Sequence, residues 1–225
     1  MHETTKQALH AVCTVTLACT AGVLCALISA TVFAQKLEQP ARTFEAGDKV
    51  TYNWVLNNKS QVLEEEWAAV TNDEVQGVQR VGGKELKVAL ARPSLVVHEA
   101  MCISNGQPCV YSPGIESVRF PLEKGAKWAF DYSVKGETFT AQANQDRRVE
   151  ALEKVKVPAG EFDAYKVSYE GRFRGTNTKG SPFSGRFEGT DWFAQIGGKI
   201  VAVKRAYKST LGDKATLELV STSFK

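Results

Sequence analysis

Few residues of this chain have the types and spacing that catalysis requires. Downstream of Phe33 there is one histidine, His98, so a Ser-His-Asp triad would have to be built on it. His98 lies in the apolar stretch Leu95–Ala100, on the face opposite Val97, and a lone strand histidine reads as structural or surface. Glu64 and Glu66 precede Trp67 and share a strand face, the arrangement that paired-carboxylate chemistry would use. Like charges two apart on a strand are roughly 7 Å apart and solvent-screened, so a solvated face explains them equally well. Gly-x-Ser-x-Gly, P-loop and dinucleotide fingerprints are missing; Gly180–Gly185 has the wrong spacing for the first. Cys102 and Cys109 flank Ile103-Ser104-Asn105-Gly106-Gln107-Pro108, whose Asn-Gly pair predicts a tight turn. Two cysteines across such a turn can reach disulfide geometry. One histidine and two bridged cysteines leave too few ligands for a zinc site. The expectation is no catalytic residue, no metal and no cofactor.

The compartment follows from residues Val12 to Phe33, a 22-residue uncharged apolar run. Lys6 precedes it, Val32-Phe33-Ala34 closes it, and Gln35-Lys36 opens a polar stretch. A basic flank, an apolar centre and permitted residues before the scissile bond fit a secretory signal peptide over 1–34. The run is also long enough to cross a bilayer, so an inner-membrane anchor through 12–33 is the alternative. Cys13, Cys19 and Cys25 lie in the run without the residues a lipidation site wants before them. An exported protein can keep the Cys102–Cys109 bond. Periplasmic placement is therefore expected.

The elements that must position any site are strands. Residues 35–47 read as a polar leader and 48–225 as a single domain. Val50, Tyr52, Trp54 and Leu56 alternate with polar neighbours; Trp128, Phe130, Tyr132 and Val134 do the same, as do Tyr165, Val167, Tyr169 and Phe173. Period-2 patterning of this kind marks half-buried antiparallel strands. Gly82-Gly83, Gly136, Gly197-Gly198 and Gly212-Asp213 supply turns. The repeated Val-Gly-Gly-Lys and Ile-Gly-Gly-Lys segments read as independent hairpins. A short helix around 112–118 or 144–152 is the one departure expected. About ten strands predict an all-β fold, a strongly curved antiparallel sheet or half-open β-barrel after the N-terminal signal helix. Gly171, Gly175, Gly185 and Gly189 fall within or beside strands and predict bulges or bends.

Charge narrows the partners. The formal net charge of +3 is too weak to argue for nucleic acid. Residues 60–79 carry five acids and no base, whereas 166–208 are rich in Lys and Arg, including Lys199 and Arg205. That basic stretch reads as the solvent side of strands, or as a face that contacts anionic membrane headgroups. The aromatics suggest more. Trp54, Phe130, Tyr132, Tyr165, Tyr169, Phe173 and Phe187 recur at alternate strand positions, and in a barrel such residues can line a cavity for an apolar small molecule or lipid. The competing expectation is a structural envelope module with a packed core that recruits another envelope protein along an exposed sheet edge.

Three motifs add a resemblance. Val157-Pro158-Ala159-Gly160-Glu161-Phe162, with Lys166-Val167, fits a VPAG-x-F-x-x-x-K-V pattern. Trp192-Phe193-Ala194-Gln195-Ile196-Gly197-Gly198 resembles W-[FY]-A-P-x-V-G, with Gln195 in place of the proline and Gly198 a further departure, and Pro121-Leu122 with Gly125 and Trp128 fits the PL-x-x-G-x-x-W that precedes them. Over about residues 118–207 the chain thus resembles bacterial envelope proteins of unknown function whose β-rich domains are similar to the LolA/LolB lipoprotein-carrier fold. The resemblance implies a β-fold and an envelope compartment, and by analogy alone a hydrophobic ligand.

Overall fold

The computed structural model describes residues 36–40, 42–92 and 94–225; the signal peptide expected over 1–34 lies outside them. Twelve antiparallel strands follow in order. They are β1 (Lys49–Leu56), β2 (Lys59–Val70), β3 (Glu74–Val81), β4 (Lys84–Ala91), β5 (Val97–Met101) and β6 (Pro108–Ile115), then β7 (Lys127–Gly136), β8 (Phe139–Val157), β9 (Gly160–Asn177), β10 (Pro182–Ile196), β11 (Lys199–Ser209) and β12 (Lys214–Ser223). Each pairs with its sequence neighbours, and β12 returns to β1. The sheet is therefore a closed up-and-down barrel, not a half-open one, and the ring leaves no edge strand. The exposed sheet edge expected for a protein partner is thereby corrected.

No helix forms where one was expected. Residues 112–115 belong to β6, and 144–152 lie inside β8, which runs unbroken through 19 residues. Its alternation was hidden because the inward positions Gln145 and Arg147 are polar. β6 escaped notice because Pro108, Pro113 and Gly114 interrupt its pattern.

Two ends can be distinguished. The turns after β1, β7, β9 and β11 crowd one end, here called the mouth. The turns after β8 and β10 and the chain's C-terminus lie at the other, the base. Register shifts at Thr51/Tyr52, Trp67/Ala69, Val149/Ala151 and Trp192/Phe193 all fall in the base half of their strands. Bulges sharpen strand twist and bend, which draws the base closed. At both Gly-Gly hairpins each glycine has positive φ (54° and 78° at Gly82-Gly83, 58° and 81° at Gly197-Gly198), as a two-residue turn of type I′ requires.

A buried ion pair ties the base together. Lys199, which follows the Gly197-Gly198 turn, donates to Asp48 Oδ2, and both side chains are fully buried. Asp48 also accepts the backbone N–H of Glu45 (2.7 Å) and of Lys225 (3.0 Å), and Lys199 Nζ stands 5.0 Å from the centre of the Phe224 ring. The start of β1, the β10–β11 turn and the C-terminus thus meet at one carboxylate. Val50, Leu63, Trp67, Val149, Val167, Val203 and Leu219 belong to the buried apolar core.

The barrel is wider than ordinary side chains fill. Eight strands make an interior just wide enough to pack. Twelve leave a lumen, occupied here by large rings and by charged residues that a core normally excludes.

Candidate ligand-binding cavity

The lumen contains two connected spaces. A deeper one of about 210 Å³ is bounded by Trp54, Trp67, Glu65, Arg147, Asp191 and Arg205, among others. A second of about 400 Å³ lies towards the mouth, lined by Phe139, Phe173, Phe183 and Leu211 and by residues 102–105 of the disulfide loop. Tyr111, Tyr132, Phe187 and Tyr207 line both, so the two spaces adjoin at these rings.

The wall between β9 and β10 follows a regular rule. Four successive inward-facing cross-strand pairs are Tyr169↔Gly189, Gly171↔Phe187, Phe173↔Gly185 and Gly175↔Phe183. Each pair sets one aromatic ring against one glycine, and the ring occupies the space a side chain at the glycine would need. The register between the two strands is unbroken through these pairs. Of the bulges or bends that the sequence suggested, no bulge forms at these pairs; the glycines are seats for rings. The rings form a ladder: Phe139–Phe183 (6.0 Å between centroids), Phe183–Phe173 (6.1 Å), Phe173–Phe187 (6.3 Å, stacked) and Phe187–Tyr207 (6.2 Å, stacked). Tyr169 continues it, 6.3 Å from Phe187, and the Arg147 guanidinium sits 4.6 Å over the Tyr169 ring. An apolar path thus leads from the mouth to a charged floor.

That floor is an ion-pair cluster. Arg147 Nη1 donates to Asp191 Oδ2 (2.9 Å) and to the Ser117 carbonyl (3.0 Å). Arg205 Nε stands 3.2 Å from Asp191 Oδ1, close enough to pair but bent away from hydrogen-bond geometry. Arg147 and Asp191 side chains are 4% and 2% exposed; Arg205 is 30% exposed, and it lines the lumen. Across the space Glu65 accepts Gln79 Nε2 (2.6 Å), and Gln79 Oε1 accepts the Met101 N–H (2.7 Å). Burial pushes the Glu65 carboxyl up; the Gln79 bond and the Arg205 charge pull it back without cancelling that rise. Burial likewise raises the Tyr132 hydroxyl, to about 12, so it stays a protonated donor.

Of the residues expected to line a cavity, Trp54, Tyr132, Tyr169, Phe173 and Phe187 do so. Tyr165 is buried in the core near the base, and Phe130 packs half-buried against that core; neither borders the lumen spaces. The Cys102–Cys109 disulfide forms, with Cα atoms 5.5 Å apart, and its loop overhangs the mouth, the Gly106 backbone lying against the Trp54 indole. His98 lies half-buried on β5, and Glu66 pairs outside the lumen with Lys49 (3.2 Å) and Arg80 (2.7 Å). The triad and paired-carboxylate readings gain no site from this arrangement. Sequence reasoning missed Glu65, Arg147, Asp191 and Arg205. Strand parity could have found them: Arg205 is two positions from Val203 and from Tyr207 on β11, and Asp191 lies between Gly189 and Phe193 on β10.

With that geometry in view, likeness to known proteins can be placed. The DUF3108-like family model matches residues 132–202, which hold the ladder rings Phe139, Tyr169, Phe173, Phe183 and Phe187 together with Arg147 and Asp191. No curated protein matches the chain. Solved structures are similar to it, and three of them are as follows. One is a candidate lipoprotein from Parabacteroides distasonis (13% identity, 84% of this chain and 100% of that chain, TM-score 0.49). Another is a candidate exported protein with a YmcC-like fold from Bacteroides fragilis (15%, 84% and 100%, TM-score 0.43). The third is the hypothetical lipoprotein YmcC from Escherichia coli (9%, 79% and 89%, TM-score 0.42).

Proposed function

We propose that the protein is an exported, non-enzymatic envelope carrier or sensor that binds an apolar or amphipathic ligand, a lipid or acyl chain, inside the barrel. One observation carries this reading: the lumen is hollow and is lined by a continuous ladder of rings from the mouth inward. Each methylene buried against those rings contributes roughly 0.8 kcal/mol. The mouthward space of about 400 Å³ is of the size that small-molecule sites occupy. The export reading rests on the signal-like run and the Cys102–Cys109 bond, and periplasmic residence is part of the proposal. The analogy with the LolA/LolB carriers points the same way. Exposed basic residues on the outer faces of β9 and β10, among them Arg172, Arg174 and Arg186, would meet anionic headgroups if the mouth docks on a membrane.

The test is native mass spectrometry of the full chain expressed with its own signal segment and purified from the envelope, paired with solvent extraction of the sample. A bound species of lipid mass that leaves on extraction is the expected result. Protein that is ligand-free and takes up no single-chain amphiphile afterwards would overturn the proposal.

A further inference from the structure

The floor of the lumen is richer in donors than in acceptors. Among the described residues, five buried side-chain polar atoms have no hydrogen-bond partner: Trp54 Nε1, Trp67 Nε1, Arg147 Nε, Arg205 Nε and Asp191 Oδ1. All five residues line the same 210 Å³ space. Four of the five atoms are N–H donors, and the one acceptor already faces Arg205. Buried donors without partners are costly, and natural folds rarely leave them unanswered. Their gathering round one cavity makes its wall rich in donors, and the Arg205 guanidinium, on a side chain that keeps 30% exposure, is the part of that wall that reaches the space.

Charge gives the same answer. Two guanidinium groups share one ionised carboxylate, Asp191. The remaining acid of the deeper space, Glu65, is held by a neutral amide and is driven towards its protonated form by burial. The floor thus carries a cation in excess, in a setting where an unpaired charge is expensive. Guanidinium is the side chain best shaped to present paired N–H groups to a planar anion. Directly above it begins the ring ladder, through Tyr169, Phe187 and Phe173.

We propose that the floor is an anion-binding head site, and that the ligand is a single-chain carboxylate amphiphile with its head at Arg147 and Arg205 and its tail along the ladder. This deepens, and rests on, the lumenal-ligand reading. A single chain is favoured because the deeper space is small and opens to the mouth along one wall of rings. Trp54, Trp67, Tyr52 and Tyr132 line the same space.

The experiment compares ten-carbon ligands that differ only in the head. Isothermal titration of the full soluble domain (residues 35–225, with its disulfide formed) with decanoate, decan-1-ol, decyl phosphate and decylamine reads the head site directly. This piece retains all twelve strands and the base contacts to Lys225. Decanoate should bind at least about tenfold more tightly than decan-1-ol, the factor expected of a charge-assisted hydrogen bond, and decylamine should bind least. Arg205→Met should bring the decanoate affinity down to that of decan-1-ol. Equal affinities for decanoate and decan-1-ol in the unsubstituted protein would overturn the head site while leaving the lumenal reading standing. Tighter binding of decyl phosphate would overturn the carboxylate assignment. Binding of none of the four would sink the lumenal reading itself.

Discussion

The ring of Phe187 fills the place that a side chain at Gly171 would take. A Cβ on Gly171 would stand 2.4 Å from Phe187 Cζ and 2.2 Å from the Asn144 carbonyl oxygen on β8. Gly185 faces Phe173 in the same way, but the nearest atoms there, Phe173 Cζ (2.6 Å) and Thr210 Oγ1 (2.7 Å), both belong to side chains. A backbone in the way can yield only by displacing a strand, whereas a side chain can rotate aside.

The two glycines should therefore respond differently to the same methyl group. Gly171→Ala is expected to cost about 2–4 kcal/mol, because β8 and the ladder must both shift. Gly185→Ala should cost about 1 kcal/mol or less in stability yet disturb the ring contacts of Phe173. Urea denaturation with matched slopes measures the first difference, and near-ultraviolet circular dichroism reads the second. Equal losses for the two variants would show that the glycines serve something other than ring seating.

Much of the architecture was legible because strands announce themselves by period. Val50, Tyr52 and Trp54 face the interior as their alternation demands, and the two Gly-Gly segments are the turns they resemble. What the pattern could not convey was closure, since pairing of β1 with β12 joins residues such as Trp54 and Leu217 that are far apart in sequence. The site was half legible for a related reason. Aromatics at inward positions look like core and were found. Arg147, Asp191, Arg205 and Glu65 look like surface, and only the width of a twelve-stranded ring makes room for them inside. Lys199 was misread in the same way: a basic residue beside a Gly-Gly turn reads as exposed, but it is fully buried against Asp48.

The Asp48–Lys199 pair sets an acid limit on the fold. Burial by itself would raise the Asp48 carboxyl, but the Lys199 ammonium and the N–H groups of Lys225 and Glu45 hold it below its ordinary value. A carboxyl lowered on folding stabilises the native state above its unfolded pKa of about 3.9, and that contribution is lost as pH falls through the lower folded value. Lys199→Met strands a buried carboxylate and should cost about 3–5 kcal/mol at pH 7. The gap between variant and unsubstituted protein should narrow as the pH is taken from about 6 to about 3, where Asp48 can take up a proton. Denaturation midpoints across that range measure it, and a constant gap would contradict the assignment.

Glu65 has the opposite sign. Its carboxyl is raised on folding by burial, so its protonated form is favoured in the barrel. Stability from such a group is fully present below the unfolded pKa of about 4.3 and declines as pH rises through the folded value. Glu65→Gln keeps an acceptor for Gln79 Nε2 and removes the charge. It should leave stability little changed near pH 4 and raise it at pH 8. Thermal melts at the two pH values check this, and a variant that is less stable at pH 8 would mean that Arg205 needs the Glu65 charge.

Asp191 and Arg205 touch each other, yet their loss should not be symmetrical. Asp191 is the carboxylate that meets both guanidinium groups, at 2.9 Å from Arg147 and 3.2 Å from Arg205. Asp191→Asn leaves Arg147 buried at 4% exposure without a counter-charge, a loss of about 3–5 kcal/mol. Arg205→Met leaves the Arg147 bonds to Asp191 and to the Ser117 carbonyl in place. It removes a pair that is bent out of hydrogen-bond geometry, from a side chain that retains 30% exposure. Its cost should stay within about 1 kcal/mol, the range of weakly held ion pairs. Adding decanoate should restore stability to Asp191→Asn more than to the unsubstituted protein, because the ligand then supplies the carboxylate that Arg147 lacks. Urea denaturation with and without decanoate gives all of these values. Equal destabilisation by the two substitutions would show that Arg205 is bound as firmly into the floor as Arg147.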